Sequence, residues 1–172
     1  MRVFTIGHST RSFDELVAML RAHGVETLVD VRTIPKSKRY PHFAKENLER
    51  ALPDAGFAYV HMKALGGLRH AQPDSINMAW RNESFRGYAD YMQTSEFARA
   101  VDELMQRASS STVAVMCAEA VPWRCHRSLL SDALVARGVD VRHIMTAAKA
   151  DAHKLTSFAR VDGANVTYPA LV

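Results

Sequence analysis

Cysteine is scarce in this chain, with two residues in 172. That excludes a disulfide-stapled scaffold of the secreted type. No apolar run approaches the roughly 20 residues that a bilayer span requires, so no membrane partner is expected. The opening MRVFTIGHS lacks the layout of a secretory signal. The protein is therefore expected in the cytoplasm, with both cysteines as thiols. Internal repeats and low-complexity stretches are also missing. Charge of one sign is not extreme: the net charge is +4, which admits an anionic ligand but does not by itself indicate nucleic acid. Hydrophobic residues at 48% and charged residues at 23% leave a globular chain with a substantial core. Its length fits one domain spanning residues 1–172.

Strand and helix patterns alternate along the chain. Val3 to Ile6 reads as a strand that runs into Gly7-His8-Ser9. Ser12 and Glu15 form a capping box ahead of an amphipathic helix that Gly24 stops. Thr27 to Val31 is a second strand, residues 44–55 a helix, and Phe57 to His61 a third strand. Residues 65–82 read as a long loop, followed by helical turns at 84–93 and 95–108. Val113 to Cys117 is another strand, and the next helix is expected to start near Cys125 and to end at Gly138. Val139 to Ile144 is the last long strand, with a small hairpin around Asp162-Gly163. This alternation predicts an α/β fold: a mainly parallel sheet with helices on both faces, a Rossmann-like three-layer arrangement, plus the C-terminal hairpin. Ligands of such sheets bind beyond the carboxyl ends of the strands. Gly7-His8-Ser9, Asp30-Val31-Arg32 and Cys117-Ala118-Glu119 all fall at such ends.

The segment VAVMCAEAVPWRCHR, residues 113–127, holds both cysteines together with Glu119, Arg124, His126 and Arg127. A cysteine at a helix start is favoured as thiolate by free N–H groups and the dipole. On that ground Cys125 is the candidate nucleophile. Cys117, at the end of a buried strand beside Glu119, is expected to remain a thiol. His126 or His8 would act as general base, and Glu119 as an orienting group or acid. Against this stands the plain reading of free cysteines as small core residues. Six residues separate Cys117 from Arg124, one more than in a tyrosine phosphatase loop, and Pro122 and Trp123 stand where oxyanion-wrapping glycines would be needed. The same ligand types suit zinc, but without a Cys-x-x-Cys frame. No metal is therefore assigned, and no cofactor can be named. A reversible Cys117–Cys125 dithiol remains open on the same spacing.

Two further segments point to an anion. Residues 32–45 contain Arg32, Lys36, Lys38, Arg39 and Lys45 with no acid, and interleave Tyr40 and Phe43. Residues 80–91 repeat the theme with Trp80, Arg81, Phe85, Arg86 and Tyr88. Guanidinium groups bind phosphate in bidentate fashion, and aromatic faces stack on bases. The bland alternative is a solvated basic loop and a helix whose aromatics enter the core.

With these residues in view, the chain resembles the family called domain of unknown function 488. The matching pieces are TIGHS at 5–9, LVDVR at 28–32, the segment Pro35 to Arg39, LGG at 65–67, WRNESFRGYADYM at 80–92, CAEAVPWRCHR at 117–127 and LTSFARV at 155–161. The resemblance implies a single α/β domain and marks Cys117, Glu119, Cys125, His126 and Arg127 as a signature. It implies no substrate.

The expectation is an enzyme-like protein, a Cys-dependent transferase or hydrolase. Cys125, His126, Glu119 and Cys117 would carry the chemistry. His8, Ser9, Arg32, Lys36, Arg81, Arg86 and Arg127 would bind a small phosphate-bearing anion, a nucleotide among the candidates. The alternatives are a non-catalytic nucleic-acid-binding module and a metal or dithiol redox site at Cys117 and Cys125.

Overall fold

The computed structural model describes residues 1–170. Its elements follow the chain as β1 (Arg2–Gly7), α1 (Phe13–Ala22), β2 (Thr27–Asp30), α2 (Lys45–Asp54), β3 (Ala58–His61), α3 (Glu83–Tyr91), α4 (Ser95–Ser110), β4 (Val113–Cys117), α5 (Arg127–Ala136), β5 (Asp140–Ile144), β6 (Ala150–Ala152), β7 (Arg160–Asp162) and β8 (Asn165–Thr167). Short 3-10 turns occupy Pro41–Phe43, Lys63–Leu65 and Pro122–Arg124.

Strands β1 to β6 form one sheet in the order β3-β2-β4-β1-β5-β6. All its pairings are parallel except β5 with the edge strand β6. The strand β6 has no counterpart in the sequence reading: three residues are too short for a period-2 pattern to register. Strands β7 and β8 make the separate hairpin expected around Asp162-Gly163, where Gly163 takes a positive φ of 62°.

Alternation along each strand divides the core in two. Val3, Val29, Val113, Val115 and Val141 pack on one face with Tyr88, Phe97, Val101, Leu104, Leu129 and Leu134 from α3, α4 and α5. Phe4, Ile6, Leu28, Ala114 and Met116 pack on the other with Leu16, Leu20, Leu48 and Leu52 from α1 and α2. Burial of both faces explains why these strands read as continuous apolar runs. The α1 capping box forms as the sequence predicts: Glu15 N donates to Ser12 Oγ at 3.1 Å, and Ser12 N donates to Glu15 Oε1 at 3.0 Å.

The last strand to enter the parallel sheet's centre, β4, lies between β1 and β2. The chain beyond β1 stays in register with it, as His8 N donates to Cys117 O and Ser9 N to Ala118 O, both at 2.9 Å. On the other side Val31 N donates to Met116 O at 3.0 Å. Insertion of β4 thus brings His8, Arg32 and Cys117 from distant parts of the sequence to one sheet edge.

Candidate functional site

A cleft of about 360 Å³ opens at the carboxyl ends of β1, β2 and β4. Its lining includes His8, Arg32, Lys36, Cys117, Glu119, Arg124, Cys125 and His126. Four of the sequence-predicted residues do not line it. Ser9 contributes backbone instead: its carbonyl accepts from His8 Nδ1 at 2.9 Å, and its φ of 51° turns the chain away after β1. Arg81 is exposed at the start of the α3 region. Arg86 donates through Nε and Nη2 to Trp80 O at 3.1 and 2.8 Å. Arg127 is 1% exposed and donates through Nη2 to the carbonyls of Glu119 and Ala120 at 3.2 and 3.4 Å. It braces the loop beneath the cleft.

The helix expected near Cys125 begins two residues later, because Pro122 starts a separate 3-10 turn and Cys125 is extended at φ −137° and ψ 149°. The helix start accordingly lends one N–H to the cysteine, Arg127 N to Cys125 Sγ at 3.5 Å. Both cysteines line the cleft and perturb each other's acidity. The Cys117 thiol is pulled below its ordinary range, first by its interaction with Cys125 and then by the Arg127 charge. The same interaction, with burial, pushes Cys125 up. This order is opposite to the expectation from the sequence. It could not be read there because the interaction depends on the loop folding back. In its thiol form Cys117 has only a long bond, to Glu119 O at 3.6 Å.

His126 Nδ1 lies 3.4 Å from Cys125 Sγ. Its Nε2 is buried, and the nearby Leu65 and Val31 carbonyls make no hydrogen bond of acceptable geometry with it. Burial lowers the His126 pKa to about 4, so the ring is neutral at physiological pH. His8 is likewise lowered to about 4, chiefly by burial. Donation from Nδ1 to the Ser9 carbonyl leaves its Nε2 as an acceptor, 3.5 Å from Arg32 Nη1.

Arg32 is largely committed. Nε and Nη2 grip Asp30 at 2.9 and 2.6 Å, and Nη2 also donates to Phe43 O at 2.7 Å. Only Nη1 remains to serve the cleft. Tyr59 completes the cluster, its hydroxyl donating to Asp30 Oδ2 at 2.6 Å. The carboxylate role of Asp30 was missed in the sequence reading, although Asp-x-Arg at a strand end places both side chains on one face. Gly67, in the LGG motif at 65–67, has a steric role that the sequence alone does not show. A Cβ there would come within 2.5 Å of His126 Nδ1, so a side chain and the observed imidazole position are incompatible. Among the described residues, no group of three or more His, Cys, Asp or Glu is disposed to hold a metal ion. No described helix is long and apolar enough to cross a membrane.

The fold is a mainly parallel α/β sheet with helices on both faces, and a cleft lined by Cys, His and Arg side chains lies at the carboxyl edge of that sheet. The chain belongs to the family "Domain of unknown function DUF488", whose model matches residues 12–134. That span contains both cysteines, Arg32 and the α3 segment, while TIGHS at 5–9 and LTSFARV at 155–161 lie outside it. No curated protein and no solved structure matches the chain.

Proposed function

We propose that the protein is a thiol-dependent enzyme acting on a small phosphate-bearing anion, a transferase or hydrolase. The observation that carries this reading is the meeting of Cys117, Cys125, His126, His8, Lys36 and Arg124 around one cleft. The side chains come from three separated stretches of sequence, and packing alone gives no reason for that convergence. Within it Cys117 serves as the nucleophile and the Cys125 S–H supports its thiolate. Lys36 and Arg124 are exposed cations at the rim, and they attract the anion while Arg32 Nη1 supplies a fixed donor. His8 and His126, held neutral by burial, act as proton acceptors once the substrate excludes water.

Two features favour this reading over a nucleic-acid module. Phe43, Tyr88 and Tyr91 of the two basic-aromatic segments are buried, so they offer no open faces for bases. Arg86 is spent on the Trp80 carbonyl. A second reading, a reversible dithiol, is favoured by the place of both thiols in one cleft, where each shifts the other's acidity.

A thermal-shift screen with inorganic phosphate, nucleoside monophosphates and sugar phosphates tests the main reading. A ligand at about 100 times its dissociation constant stabilises by about 2.7 kcal/mol. The shift is expected to vanish in a Lys36→Glu, Arg124→Glu double variant. Absence of any anion-dependent shift in the wild type would sink the proposal.

A further inference from the structure

The chain has two tryptophans, and both line a second cavity of about 660 Å³ that shares no lining residue with the thiol cleft. Trp80 is fixed on three sides. Its ring meets Phe85, Phe158 and Tyr168 at centroid distances of 5.1, 4.8 and 5.5 Å, in edge-to-face arrangements. Trp123 is different: it sits on the Pro122–Arg124 turn and is 66% exposed. Unlike Trp80, it is open to a stacking partner at the edge of the cavity.

Two more rings line the cavity, His143 and His153, with centroids 4.9 Å apart and planes at 84°. Every nitrogen of this pair is engaged. Thr5 Oγ1 lies 2.5 Å from His143 Nδ1, His143 Nε2 lies 2.8 Å from His153 Nδ1, and His153 Nε2 lies 2.7 Å from Asp132 Oδ1. The carboxylate of Asp132 is acceptor-only, and it also takes the Tyr168 hydroxyl at 2.7 Å. Donation therefore runs from Thr5 through His143 and His153 to Asp132. Neither imidazole has a lone pair free for a metal ion or for catalysis without breaking this chain. What the pair offers the cavity is ring carbon.

The lining thus combines four ring systems with polar side chains, among them Ser128, Lys154 and Asp151. Its volume falls within the roughly 300–1,000 Å³ of small-molecule sites. We propose that this cavity binds a flat nitrogen heterocycle of the nucleobase type, stacked on Trp123 and hydrogen-bonded at its edges. Rings alone would suit any aromatic compound; the polar side chains around them select one whose edge carries donors and acceptors. This inference does not depend on the thiol-cleft reading.

Because the tryptophans both border the cavity, indole emission reports occupancy directly. Adenosine, which carries the ring system without an anion, is the probe. Titration is expected to quench emission saturably, and inorganic phosphate is expected to leave emission unchanged. In Trp123→Leu, with Trp80 still reporting, affinity should fall at least about tenfold, equivalent to about 1.4 kcal/mol. Trp123→Phe, which keeps a stacking face, should recover most of the loss. Trp123 is exposed, so both variants should retain the wild-type melting temperature. Cys117→Ser should bind adenosine as the wild type does. Non-saturating quenching, equal losses in the Leu and Phe variants, or unchanged affinity in Trp123→Leu each overturn the proposal. Loss of adenosine binding in Cys117→Ser overturns it as well, since the heterocycle would then lie in the other cleft.

Discussion

Arg32 and Asp30 form a buried bidentate pair, closed by Nε to Oδ1 at 2.9 Å and Nη2 to Oδ2 at 2.6 Å, with side-chain exposures of 7% and 0%. This pair decides how the proposed anion site must be probed. Arg32 has a supporting role in the fold as well as one donor, Nη1, turned toward the cleft. Substituting it would therefore confuse lost binding with lost structure.

Asp30→Asn should accordingly be among the most destabilising polar substitutions in the chain. It leaves the Arg32 charge buried without its counter-ion, a change that typically costs about 3–5 kcal/mol. Urea denaturation of the variant gives the figure. Tyr59→Phe, which removes one hydrogen bond to the same carboxylate, should cost about 1.5–3 kcal/mol at most. A smaller effect for Asp30→Asn than for Tyr59→Phe would show that the pair does not support the strand end.

Thiol mapping should place Cys117 ahead of Cys125. At neutral pH, iodoacetamide followed by mass spectrometry is expected to label Cys117 first, and Cys125→Ala should slow that labelling by removing the S–H donor. The pH profile for Cys117 should rise at lower pH than for an ordinary thiol, because the shift is downward. Faster labelling of Cys125 would restore the assignment drawn from the sequence.

Stability should fall as pH drops from about 6.5 toward 4. His8 and His126 are lowered to about 4, and His143 to about 3, each mainly by burial. Below pH 6.5 the unfolded chain binds protons that the folded chain refuses. The stabilising contribution is therefore complete above the unfolded value and is lost on descending through the folded ones. Each group can contribute at most about 1.4 kcal/mol per pH unit in that window. Denaturation midpoints measured across it, with His143→Gln for comparison, test the claim. A flat profile in the wild type would contradict the burial of these rings.

Gly7→Ala should disorder the cleft. A Cβ at this position would run into the Glu119 carbonyl, which Arg127 also holds. Forced repacking of this kind typically costs about 1–3 kcal/mol. Cys117 labelling should rise at the same time, as the loop lifts. Unchanged stability with unchanged labelling would show that the close approach of β1 to this loop is dispensable.

Much of this architecture is legible in the sequence because it is written locally. Val113 to Cys117 was delimited correctly as a strand, and the Ser12–Glu15 capping box formed as expected, since periodicity and capping involve neighbours only. Strand-end position was enough to nominate His8, Arg32 and Cys117 for one cleft. The start of α5 was displaced because Pro122 could begin either a helix or the isolated 3-10 turn it does form.

By itself, then, the sequence determined the strand-helix alternation, the buried faces and the set of chemistry-bearing residues at strand ends. Tertiary structure decided which of them line the cleft. It turned Arg127 inward to the loop carbonyls and tied Arg86 to Trp80. It placed Cys125 and Cys117 in one cleft, where they shift each other's acidity in opposite directions. It also built the Thr5–His143–His153–Asp132 chain from four separate elements or loops. The physical reason is common to all of these. Side-chain direction and hydrogen-bond partnership depend on groups brought together only when β4 enters between β1 and β2, and no local pattern encodes them.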